Sequence, residues 1–95
     1  MATDTKRSGQ TSRAVLCSGT FHLRFGDERQ AREAGRDAGA CGFSTELRNE
    51  KAEGWALVVT RRSQPFPLDE QDRYSGRLRL IAAAHGGSFE RFVQD

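Results

Sequence analysis

The chain has 95 residues, of which 36% are hydrophobic and 29% charged, with a formal net charge of +2. That length fits one domain with one modest core, burying roughly 60–65% of the surface its unfolded chain exposes. No apolar run approaches the roughly 18 residues that span a bilayer, and Lys6 and Arg7 precede no apolar stretch of signal-peptide length, so a cytoplasmic protein with no membrane partner is expected.

Residues 1–12 are a polar run of Thr, Ser, Gly, Lys and Arg, expected as a disordered basic tail before a single domain over residues 13–95. Residues 1–19 hold three of the fifteen basic residues (Lys6, Arg7, Arg13) and one of the thirteen acidic (Asp4). Residues 20–95 therefore balance 12 basic against 12 acidic groups. The basicity belongs to the tail, whereas nucleic-acid binding usually leaves a basic stripe on a folded face.

Thr20–Phe25 alternates, with Phe21, Leu23 and Phe25 on one side and His22 and Arg24 on the other, the period of a half-buried strand. Whether Ala14–Cys17 extends it, past Ser18-Gly19, is open. Asp27 with Gln30 forms a capping-box pattern, and the helix runs to about Ala38, with Gly39 at the left-handed position. Its inner face, Ala31, Ala34, Gly35 and Ala38, is small enough to sit close on a sheet. Phe43, Thr45 and Leu47 mark a second strand. Trp55–Thr60 is a third, apolar on both faces and so central. Ser63–Pro67 is expected as a loop. Pro67 and the acidic Asp69, Glu70 and Asp72 favour a helix start. Tyr74, Leu78, Ile81, Ala82 and His85 then form one stripe, with Gly86 placed to end the helix. Ser88–Val93 is a last strand, in which Phe89 or Phe92 closes the core.

The order β-α-β-β-α-β predicts an α+β fold: a ferredoxin-like sandwich with a four-stranded antiparallel sheet and two helices on one face.

No chemistry-bearing constellation emerges. His22 and His85 sit on separate elements without metal-ligand spacing, and Cys17 and Cys41 lack CxxC partners. Carboxylates lie beside arginines at helical spacing, as Glu28 with Arg32, which is a solvated face. No GxSxG, P-loop or GxGxxG motif occurs. The expectation is a non-enzyme with no cofactor, no metal and no catalytic residue. On the open sheet face, Ala56 and Val58 among His22, Arg24, Glu46 and Arg48 suit partner contact as well as solvent.

Three stretches carry a family resemblance: Gly42-Phe43 entering the second strand, Gly54-Trp55 opening the third, and Gly86-Gly87-Ser88-Phe89 after the last helix. Over roughly residues 20–93 the chain resembles the ribonuclease E inhibitor family (regulator of ribonuclease activity, B type). That family usually ends Gly-Gly-Glu-Tyr-Asp-Gly-Trp and is acidic. Here Ser88 replaces an acidic residue, Arg91 replaces a glycine, and the domain is neutral. The resemblance implies a non-catalytic regulator that binds a ribonuclease and modulates RNA turnover. The candidate partner-binding residues are Arg24, Arg48, Val58, Arg91 and Phe92, and Val58→Asp is expected to break contact without loss of fold. One alternative is a single-stranded RNA binder using Arg24, Arg48, Arg62 and the basic tail. Another is a dimeric small-ligand sensor.

Overall fold

The computed structural model describes residues 15–95. The tail expected over residues 1–12 and the domain boundary at residue 13 lie outside the described residues. Within them the fold is mixed α and β. The strands are β1 (Leu16–Cys17), β2 (Gly19–Phe25), β3 (Phe43–Asn49), β4 (Trp55–Arg61), β5 (Phe66–Pro67) and β6 (Ser88–Gln94). The helices are α1 (Glu28–Ala40) and α2 (Gln71–Ala84). One antiparallel sheet has the order β3-β4-β2-β6, and a second pairs β1 with β5.

The alternation in β2 has its physical outcome. Phe21, Leu23 and Phe25 are fully buried, and they join Leu57 and Val59 of β4 in one core. Both helices enter the same core, α1 through Ala31, Ala34 and Ala38 and α2 through Leu78, Ile81 and Ala82. The alanine face brings α1 close to the sheet: a Cβ at Gly35 would already touch Leu57 and Thr45. β4 is central, paired with β2 on one side and β3 on the other. Its two faces are both buried, as an apolar strand with two neighbours requires.

The second sheet settles one open question and corrects one expectation. Leu16 and Cys17 do not extend β2, and Phe66 and Pro67 are not loop. Cys17 pairs with Phe66 and Leu16 with Pro67. A two-residue ladder is too short to show a period. Its physical cause is Phe66, buried against Phe21 (ring centroids 6.4 Å) and edge-on to Tyr74 (5.1 Å). Gln64 Oε1 accepts from the Gly19 N–H at 2.9 Å and ties this segment to β2.

Asp27 caps α1 as expected, its side chain accepting from the Gln30 N–H at 3.1 Å. The helix ends later than expected. It runs to Ala40, Cys41 caps it, and the left-handed turn falls at Gly42 (φ +94°) instead of Gly39. The reason lies in the next ladder. Gly42 offers its carbonyl to the Arg62 N–H at 3.1 Å and delivers Phe43 opposite Arg61.

At the other helix end Gly86 takes φ +76°. The Gly87 N–H donates to Ala82 O at 2.8 Å and the Gly86 N–H to Ala83 O at 3.3 Å, a Schellman motif. A Cβ on Gly87 would lie 2.3 Å from the Phe25 ring and 2.5 Å from Arg24 O. The first glycine reverses the chain and the second lets it pass against β2.

β6 then solves a spacing problem. Phe89 and Phe92 are three residues apart, so a regular strand would point them to opposite faces. The register shifts between His22 and Leu23: Arg91 opposes His22, Phe89 opposes Leu23, and Glu90 is the extra residue of a bulge. Both rings therefore reach Phe21, at 6.4 and 4.7 Å.

Candidate functional site

The face of the large sheet away from the helices is built from cross-strand rows. One row is Glu46, Val58, His22 and Arg91, and the next is Arg48, Ala56, Arg24 and Ser88. The alternation that sends Phe21, Leu23 and Phe25 inward sends His22 and Arg24 here, and the bulge adds Glu90.

Arg24 is the hub. Its Nε donates to Glu90 Oε2 at 2.9 Å and its Nη2 to Glu90 Oε1 at 3.3 Å. Nη2 also lies 3.1 Å from Glu50 Oε1, and Nη1 donates to Glu53 O at 2.9 Å. Hydrogen bonds to Glu90 and Glu50 raise the Arg24 pKa further above its ordinary range. The same contact with Arg24, outweighing burial, lowers that of Glu90. Arg48 pairs along its own strand with Glu46 at 3.1 Å, and this contact raises its pKa. Desolvation, then the charges of Arg91 and Arg48, lower the pKa of His22, whose Nε2 lies 3.0 Å from Thr20 Oγ1. Three arginines thus share the face and its rim with four carboxylates, Glu46, Glu50, Glu53 and Glu90. This is a balanced ion-pair lattice and not a basic stripe.

Four of the five residues singled out from the sequence share this face: Arg24, Arg48, Val58 and Arg91. Val58 is only 8% exposed, so Val58→Asp would put a carboxylate where little water reaches and cost the fold stability, contrary to the expectation that it breaks contact without loss of fold. Phe92 does not belong to the face. Its ring packs into the core beside Phe21. Arg62 is also elsewhere, its guanidinium donating to Gly39 O at the end of α1.

A second feature escaped the sequence reading. Where α1 ends and β3 begins, a cleft of about 440 Å³ opens against α2. Its walls include Cys41, Phe43, Arg61, Arg73, Tyr74 and Arg77. The Arg61 guanidinium lies 5.2 Å from the Phe43 centroid and 4.6 Å from that of Tyr74, and its Nη1 donates to Cys41 O at 2.7 Å. The Tyr74 hydroxyl donates to Glu70, the main reason its pKa is raised. Arg73 pairs with Glu70 at 3.3 Å, and Arg77 Nη1 lies 3.6 Å from Cys41 Sγ. The only sequence signal was the i, i+4 spacing of Arg73 and Arg77 on one helix flank.

Cys17 and Cys41 are free thiols, the first buried, with its pKa raised by that burial, and the second half-buried. Among the described residues no group of three or more His, Cys, Asp or Glu side chains is placed to hold a metal ion. No helix among them is long and apolar enough to cross a membrane. No family model matches the chain, and no curated protein or solved structure matches it either.

Proposed function

We propose that the protein is a non-catalytic regulator that docks a protein partner through the open face of the β3-β4-β2-β6 sheet. By the resemblance of Gly42-Phe43, Gly54-Trp55 and Gly86–Phe89, that partner is a ribonuclease and the effect is on RNA turnover. The frame is read as ferredoxin-like, on the βαββαβ order of the main elements and the antiparallel sheet order β3-β4-β2-β6.

The observation that carries this reading is the Arg24 hub. Held by Glu90, Glu50 and Glu53, it is ordered before any partner arrives. Binding such a surface costs less side-chain entropy than ordering a free one. The mixed signs favour a partner with its own mixed charge. A polyanion would meet four carboxylates for three arginines, which counts against the single-stranded RNA alternative.

The test is calorimetric titration of the full chain with a purified ribonuclease E at about 50 and about 300 mM salt. One-to-one binding is expected, reduced at least about tenfold by Arg48→Glu with Arg91→Glu, with the circular dichroism spectrum unchanged. Binding that survives the double reversal would remove the sheet face. Absence of binding would remove the ribonuclease. Affinity for RNA that falls steeply with salt would install the nucleic-acid alternative instead.

A further inference from the structure

The cleft beside α2 lies apart from the docking face and is built from different residues. It gathers three guanidinium groups, Arg61, Arg73 and Arg77, around about 440 Å³, a volume within the range of small-molecule sites. One carboxylate, Glu70, answers them, and it is paired with Arg73. The local balance is three positive charges against one negative. Among the described residues Arg77 has no carboxylate partner within salt-bridge distance and meets only the sulfur of Cys41.

Arg61 is fixed in place. Phe43 and Tyr74 pack against its guanidinium, and the Cys41 carbonyl takes one of its N–H groups. An arginine held this way loses little freedom on meeting an anion, and its planar fork matches the oxygens of phosphate. A phosphomonoester carries about −1.5 to −2 near neutral pH, which matches the local excess of two positive charges. The volume exceeds what a bare phosphate fills, and Ala40 and Tyr74 supply an apolar wall for the remainder.

We propose that this cleft binds a small phosphomonoester, its phosphate held by Arg61, Arg73 and Arg77 and its apolar body against Ala40 and Tyr74.

Phenyl phosphate is the probe, and Cys41 is the built-in reporter. Cys17 is 4% exposed, so Cys41 is the thiol that a maleimide reaches. The full chain is titrated with phenyl phosphate by calorimetry at about pH 7.5, and alkylation of Cys41 is followed with and without the probe. Saturable one-to-one binding is expected, tighter than for inorganic phosphate, with slowed alkylation of Cys41. Arg77→Lys, which keeps the charge and loses the fork, and Arg73→Ala should each weaken binding at least about fivefold. Arg29→Ala, at the opposite end of α1 from the cleft, should leave it unchanged. Affinity should fall as pH drops through the second phosphate pKa of about 6. No binding up to about 10 mM overturns the proposal, since weaker association would be no site. So does binding indifferent to both Arg73 and Arg77, or alkylation that the probe does not slow. A phosphotyrosine peptide bound at least about tenfold more tightly than phenyl phosphate would overturn the small-molecule assignment in favour of a phosphorylated protein.

Discussion

Arg24 and Glu90 meet through two parallel contacts, Nε to Oε2 at 2.9 Å and Nη2 to Oε1 at 3.3 Å, although one sits on β2 and the other on a bulge of β6. The bulge makes the pair. It inserts Glu90 as an unpaired residue on the outer face while Phe89 and Phe92 keep their places inside. Core packing and surface electrostatics are thus set by one irregularity.

Glu90→Gln should lower stability by about 1 kcal/mol, the upper range for a well-formed ion pair that is still partly exposed. The pH dependence has a defined sign. The folded-state pKa of Glu90 lies below its ordinary 4.5, so its stabilisation is complete above that value and is lost as pH falls through the lower, folded value. Denaturant titrations from neutral pH down through this range should show the variant losing less stability than the parent. Equal losses would mean that the pair contributes nothing to folding.

Phe92→Ala should cost about 2–3 kcal/mol, because its ring is half-buried against Phe21 (4.7 Å) and Phe66 (6.4 Å). Urea unfolding measures this directly. A variant as stable as the parent, yet impaired in partner binding, would return Phe92 to the docking surface where the sequence pattern first put it.

The contrast between Phe92 and Arg24 shows what the chain makes legible. Thr20–Phe25 and Trp55–Thr60 announce themselves because a regular strand has period two, and the buried set follows from that period. The alanine face of α1 and the Gly86 cap follow from equally local rules. Phe92 reads both as a core residue and as a docking residue because a bulge has no period of its own, and packing against Phe21 decides for the core. Phe66 falls in a stretch that reads as loop because a two-residue ladder shows no alternation, although its ring is buried. Gly39 and Gly42 are both glycines near a helix end, and only the pairing of Phe43 with Arg61 decides for Gly42. The cleft was invisible because Arg61 and Arg77 belong to different elements, and the thirteen arginines of the chain look alike in sequence.

His22 should titrate below its ordinary 6.5, since desolvation first, then Arg91 and Arg48, oppose its protonation. A lowered histidine pKa contributes stability that is complete above the unfolded value and is lost as pH falls through the folded one. Proton resonances of the imidazole, followed from about pH 8 to about pH 4.5, check the midpoint. Arg91→Gln should move it upward, but only part of the way, because burial is the larger cause. A midpoint at or above 6.5 in the parent would contradict the burial of His22, and a midpoint unmoved by Arg91→Gln would contradict the cross-strand placement of Arg91 beside it.

Two glycine substitutions should move stability in opposite directions. Gly87→Ala places a methyl group 2.3 Å from the Phe25 ring and 2.5 Å from Arg24 O, and one of these contacts is backbone that cannot step aside. The strand pairing of β2 with β6 must shift, at a cost of about 2 kcal/mol. Gly76→Ala lies within α2, and its new methyl group meets nothing within 4 Å. Alanine restricts the unfolded chain and suits the helix, so this variant should gain about 0.5–1 kcal/mol. Thermal and urea unfolding of both variants against the parent make the comparison. If Gly87→Ala proves neutral, the close passage of the chain over Phe25 is wrong, and with it the reason for a second glycine after the Gly86 cap. If Gly76→Ala instead destabilises, that face of α2 is covered by something other than solvent.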